Sequence, residues 1–181
     1  MEYLDVLDER GEKTGEVVER SFAHKHGIFH RAIHVWIINS CCELLIQRRS
    51  VTKDWMPNKL YVSMGCHVIA GESNKQAIIR EMDEELGIDV RALTDELEYL
   101  YTFKERSVTN DGTFIDDEFY DVYVLKLDIE HDALHLQAEE VASAQWMPYT
   151  KFRQMILDHS PEFVDHGDNY LPLIASLDAL F

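Results

Sequence analysis

Three carboxylates, Glu81, Glu84 and Glu85, crowd the stretch "IIREMDEELGI". Wound into a helix at about 100° per residue, they share a ridge with Arg80, opposite the apolar Ile78, Ile79, Met82 and Leu86. Like charges at these spacings cost a helix about 0.2–0.5 kcal/mol per pair. Glu84 and Glu85 also approach the helix C-terminus, where the macrodipole disfavours anions. A ridge of this kind in an acidic protein is ordinarily a solvated face. The chemical alternative is a seat for a hard cation: oxygen ligands converge on Mg2+ or Mn2+, and the ion removes the repulsion.

The elements that must hold this ridge are well punctuated. Ser73 followed by Gln76 is a capping-box pattern that opens the helix, and Gly87 closes it. A short strand is expected over 60–64, running into a glycine-flanked loop from Gly65 to Gly71. Upstream, "EYLDVLDERGEKTGEVVER" predicts an N-terminal hairpin turning at Asp8 to Lys13, with Gly11 as the permissive residue. Ala32 to Ile38 and Glu43 to Gln47 predict a central hairpin bent at Asn39 and Ser40. Downstream, "ELEYLYTFKERS" and "EFYDVYVLKLDI" predict another hairpin around Asn110, Asp111 and Gly112. "SAQWMPY" reads as a further strand. Phe152, Met155 and Ile156 mark a helix, and Leu171 to Phe181 a last one.

The 181 residues fit one domain, of which residues 1–28 form a hairpin extension, and 46% hydrophobic residues supply a sizeable core. No apolar run is long enough to span a membrane, and the acidic "MEYLDVLDERGEK" is no secretory leader, so the cytoplasm is the expected compartment. Cys41, Cys42 and Cys66 are odd in number and lack CxxC spacing, which suits reduced thiols and excludes a zinc ribbon. A formal charge of −17 opposes binding to a nucleic acid polymer. Small anions remain admissible substrates, because a bound divalent cation reverses the local field.

Residues 65–88, "GCHVIAGESNKQAIIREMDEELGI", resemble the Nudix box, G-x5-E-x7-R-E-U-x-E-E-x-G-U with U aliphatic. The match runs through Glu72, Arg80, Glu81, Met82, Glu84, Glu85, Gly87 and Ile88, and departs where the first Gly falls on Cys66. The resemblance implies an α/β (α+β) Nudix fold, a mixed β-sheet sandwiched between α-helices. It implies metal-dependent hydrolysis of the diphosphate linkage of a small nucleoside-diphosphate-type or related compound, with Mg2+ or Mn2+ as cofactor. It also assigns roles: Glu81, Glu84 and Glu85 as metal ligands or base, Arg80 orienting them, and Glu72 supporting loop and helix.

Stretches outside the box, including "LLIQRRSVTKDWMPNKLYVSMGCHVIAGE" and "AEEVASAQWMPYTKF", are similar to the branch of the family that contains type 1 isopentenyl diphosphate isomerase. By that similarity His67 matches a loop histidine, His30 an upstream one and Glu118 a later acidic metal ligand, with His24 close to a further ligand position. The isomerase's cysteine position holds Gly65, and Cys66 stands where a glycine belongs, which counts against its proton relay. Hydrolysis is therefore the leading expectation, isomerisation the alternative and a non-catalytic ligand sensor a third class. Arg48, Arg49 and Lys53, clustered in a chain short of cations, are candidate phosphate contacts alongside His67. His34, Trp36, Phe119, Tyr123 and Trp146 read as packing residues. A small diphosphate compound is the expected partner, and a homodimer is left open.

Overall fold

In the computed structural model, which describes residues 1–181, β3 (His30–Ile38) is buried along almost its whole length. That is the signature of a strand covered on both faces. It runs parallel to β8 (Phe114–Lys126) through nine rungs, from His30 opposite Glu118 to Ile38 opposite Lys126. β7 (Glu98–Thr109) returns antiparallel to β8 across the expected turn, where Asn110, Asp111 and Gly112 adopt positive φ angles of 51°, 55° and 87°.

On its other edge β3 meets two partners in succession. β6 (Met64–His67) pairs with Ala32 to Val35, and β4 (Glu43–Arg49) pairs only at Ile38 opposite Leu44. The expected central hairpin exists as a connection, but its strands part almost at once. Ser63 fills the fork: its hydroxyl accepts the Ile37 N–H at 2.7 Å and donates to the Leu45 carbonyl at 2.6 Å. One side chain thus satisfies two buried backbone groups that the missing ladder would have paired. The strand expected over 60–64 is accordingly two strands, β5 (Leu60–Tyr61) and β6. The first three residues of the expected loop, Gly65, Cys66 and His67, belong to β6. β4 continues into pairing with β5 and with β9 (Val141–Pro148).

Helices cover both faces of this mixed sheet. α2 (Asn74–Leu86) lays Ala77, Ile78, Met82 and Leu86 on Ile33, Val35 and Cys66. On the opposite face α3 (Tyr149–Leu157) and α4 (Leu171–Leu180) bring Phe152 and Leu173 against Trp36. The capping box of α2 forms as expected, with Ser73 and Gln76 bonded reciprocally and Gly87 left-handed at φ 70°. β1 (Tyr3–Leu7) and β2 (Lys13–Glu19) make the N-terminal hairpin as a separate two-stranded sheet. The segment after it was not expected to be helical. α1 (Arg20–His26) is seven residues long, too short for apolar periodicity to show, and ends at Gly27 with φ 62°. No helix is long and apolar enough to cross a membrane.

The start of α2 is fastened to the sheet through Asp121. Its carboxylate accepts two 2.9 Å bonds from Arg31 Nη1, one of 2.7 Å from Asn74 and one from the Thr102 hydroxyl, while Arg31 Nη2 donates to the Gly11 carbonyl at 2.7 Å. Three strands, the hairpin turn and the first residue of α2 meet there. Asp121→Ala leaves the Arg31 charge without its anion and is expected to lower the unfolding free energy by about 3 kcal/mol in urea melts. A change under about 0.5 kcal/mol, the size of an ordinary surface substitution, would contradict this reading.

Candidate functional site

The ridge of α2 is organised by Arg80. Its guanidinium donates to Glu72 through Nε at 3.1 Å and Nη2 at 2.9 Å, pairs with Glu81, and stands 3.7 Å from Glu84. Glu72 also accepts the Ile69 N–H at 3.3 Å, so one carboxylate joins the loop to the helix. The three ridge carboxylates differ in environment. Glu84 is the open one, its side chain 57% exposed, while Glu81 is 15% exposed. Glu85 is buried, and its Oε2 has no hydrogen-bond partner. Burial pushes the Glu85 acid up to about 8, helped by repulsion from Glu81 and Glu140. Burial also raises Glu81, with Arg80 opposing.

A second polar cluster lies on the other face of β6. His30 Nε2 and His67 Nε2 both donate to Glu118 Oε1, at 2.8 and 2.7 Å. His24 Nδ1 stands 2.9 Å from Asp116, and its Nε2 is buried without a partner. One ligating atom from each of His24, His30, His67 and Glu118 lies within 4.8 Å of the others. Strand geometry explains the grouping. His30 and Glu118 occupy one rung of the parallel β3–β8 ladder, Asp116 shares Glu118's face two residues away, and His67 sits on β6 opposite Ala32. Burial alone would raise the Glu118 acid, but the His30 and His67 hydrogen bonds hold it well below the usual carboxylate range. His30 is raised because Glu118 outweighs its burial, and its Nδ1 meets the Ile28 carbonyl at 2.7 Å. His67 is pushed down to about 3 by burial.

Both clusters open into one cleft, whose lining includes Glu81, Glu84 and Glu85 on one side and His24, His67 and Glu118 on the other. Arg49 and Lys53 also line it, Lys53 in an ion pair with Glu140. Arg48 does not. It donates to the Asn58 carbonyl at 2.8 Å and faces Glu162, because neighbouring strand residues point to opposite faces. The expectation that Arg48 contacts phosphate is thereby corrected. Glu118, expected to join the site from outside the box, and His67, expected at the substrate, both line this cleft and are gathered there with His24 and His30. Arg20, Tyr61, Asp116 and Glu140 line the cleft too, and no motif signalled them.

A family model described as the NUDIX domain matches residues 28–166. The chain belongs to the Nudix family. Among its relatives, Nudix hydrolase 3 of Arabidopsis thaliana is 39% identical over 171 residues, covering 93% of this chain, which spans only 22% of that longer protein. An isopentenyl-diphosphate Delta-isomerase of Citrobacter koseri is 31% identical over 146 residues, covering 80% of this chain and 76% of its own. A solved Deinococcus radiodurans structure superposes with a TM-score of 0.71 at 25% identity, covering 99% of both chains. The chain is thus a Nudix hydrolase by family, with isomerase relatives. Nudix enzymes act on small diphosphate substrates and generally use divalent cations.

Proposed function

We propose that this Nudix protein hydrolyses the diphosphate linkage of a small nucleoside-diphosphate-type or related compound in the shared cleft, with Mg2+ or Mn2+. The observation that carries the reading is Glu85: a buried carboxylate oxygen with no partner, next to Glu81, asks for a cation. Glu81, Glu84 and Glu85 would hold it as oxygen ligands suited to a hard ion. His24, His30, His67 and Glu118 form a nitrogen-rich set that would hold a second divalent ion, of the transition-metal kind that imidazole suits. The orphaned His24 Nε2 supports this, as does the Ile28 carbonyl, which accepts His30 Nδ1–H and would leave Nε2 as the ligand atom once a metal displaces its proton. When bound, such ions neutralise the phosphoryl oxygens in the transition state.

The chain's own groups do the rest. Arg49 and Lys53 bind phosphate oxygens. Arg80 fixes Glu81 and the loop at Glu72, so the ridge is rigid before substrate arrives. Glu84, the most solvated of the three, takes the proton of the attacking water. Trp55, Phe114 and Tyr120 line the cleft and give a planar or apolar group somewhere to lie. A metal-supplemented screen of diphosphate compounds, scoring phosphate release and product mass, tests the reading. No turnover of any compound with either metal would overturn it.

Isomerisation has the histidine cluster in its favour and the thiol against it. A Cβ at position 65 would fall 2.8 Å from the Tyr61 ring, so the isomerase's cysteine has no room there. Cys66 packs into the apolar layer beneath α2, and burial raises its thiol well above the usual value. Isopentenyl diphosphate in deuterated water is therefore expected to take up no carbon-bound label. Rapid uptake, abolished in Cys66→Ser, would restore the isomerase.

Glu85 also makes metal-free stability depend on pH. Its acid is raised in the folded state from 4.5 to about 8, so its contribution is complete below pH 4.5 and is lost as pH rises through 8. Between pH 4.5 and about 8 metal-free wild-type protein should lose up to about 1.4 kcal/mol of stability per pH unit relative to Glu85→Gln, with no further loss above that window. Thermal melts of both proteins at pH 6 and 9 in chelator check this. Parallel pH dependences would refute it.

A further inference from the structure

Arg49 is a buried guanidinium with no anionic partner. Its Cζ sits in the corner between two rings that meet edge to face, 5.0 Å from the Trp55 centroid and 5.0 Å from that of Tyr61, the two centroids being 5.8 Å apart at 72°. Nε and Nη2 both donate to the Trp55 carbonyl, at 3.1 and 3.0 Å. That occupies the side of the guanidinium and leaves its end, Nη1 with the second N–H of Nη2, unengaged beside the cleft. A charge so buried without a counterion requires an anion from elsewhere, and a planar fork suits phosphate.

One wall of that corner is Tyr61. Its hydroxyl lies 2.6 Å from His34 Nε2. Burial, then the nearby His166, hold His34 well below its ordinary range, so the imidazole is neutral and accepts the phenol's hydrogen. The ring itself occupies space that exists only because residue 65 is glycine: any Cβ there would meet Tyr61 Cε1 at 2.8 Å and Val62 at 3.1 Å. The same missing side chain that removes the thiol admits the aromatic ring.

We propose that Tyr61, seated over Gly65 and tethered to His34, is a positioning residue that fixes the Arg49 guanidinium for the substrate's diphosphate. The inference rests on the diphosphate reading above and extends it to a residue outside the box. A guanidinium held in an aromatic corner and bonded to the Trp55 carbonyl has its fork aimed before binding, so less order is lost when phosphate arrives. Tyr61 touches no reacting atom. Its effect falls on substrate affinity and passes entirely through Arg49.

The test is binding of methylenediphosphonate, a diphosphate that water cannot cleave, by calorimetry with Mg2+ and the full chain. Tyr61→Leu should weaken binding about tenfold, the size of a buried cation–π contact, and Tyr61→Phe, which keeps the ring, should retain most of the affinity. Gly65→Ala should weaken binding as Tyr61→Leu does. In an Arg49→Ala background Tyr61→Leu should add nothing, and with a turned-over substrate its effect should appear in KM while kcat holds within about twofold. Circular dichroism confirms that each variant is folded, and Gly65→Ala carries the comparison if Tyr61→Leu is not. Additive losses from Tyr61→Leu and Arg49→Ala, with wild-type protein binding normally, would overturn this inference alone. Failure of wild-type protein to bind the diphosphonate would overturn the diphosphate reading and this inference with it.

Discussion

Glu84→Gln should lower kcat by about 10²- to 10⁴-fold while leaving the fold and its melting temperature nearly unchanged. The size follows from losing a proton acceptor and a cation ligand in one substitution, since an amide is a poor ligand for a hard ion. The unchanged stability follows from position. Glu84 is the exposed member of the ridge, its only ion pair is the 3.7 Å approach to Arg80, and Arg80 keeps Glu72 and Glu81. Steady-state kinetics with saturating Mg2+ or Mn2+, beside a thermal melt, separate the two effects. Full turnover in the Gln variant, or in wild-type protein with excess chelator, would remove the box from the chemistry.

Glu118→Gln should be costly in a different way. Glu118 Oε1 accepts from His30 and His67 in a space with almost no solvent, and His30 depends on that anion for its own charge. Removing the charge strands a buried imidazolium, which costs about 3–5 kcal/mol. Metal-free protein should therefore denature at lower urea. It should also lose the bound ion of the histidine set during dialysis, read by elemental analysis, while the ion at the box carboxylates is retained. Unchanged urea midpoint and unchanged metal content would show that the cluster is only a packed polar contact.

How much of this was legible in the sequence differs between the two clusters for a physical reason. The ridge of α2 is local: its capping box, its 3.6-residue period and its glycine stop all lie within 15 residues of the carboxylates they position. The histidine cluster is assembled by strand register across the chain, and His30, His67, Glu118 and the neighbourhood of His24 were reachable only through family resemblance. Asp116 was recoverable from the two-residue period of "IDDEF", which puts it on the face of Glu118 and turns Asp117 away. Arg48 was misread because adjacency in sequence is opposition in a strand. His24 rides on a helix too short to announce itself. The fork between β3 and β4 had no signal, because it depends on where one serine hydroxyl lands.

The parallel pairing of β3 and β8 has a consequence for how the protein is made. His30 and Glu118 share a rung yet are 88 residues apart in the chain. At about 5–20 residues per second of synthesis, His30 leaves the ribosome roughly 5–20 s before the carboxylate it needs. Loop closure over such a separation is also a slow, entropically late step in folding. The nitrogen-rich cluster therefore cannot exist on the nascent chain while the N-terminal half waits alone. α2, whose signals are local, can wind as soon as it emerges. On the proposed function, ion capture at the histidines would report that β8 has docked on β3, and a time-resolved metal-uptake measurement during refolding would follow that docking directly.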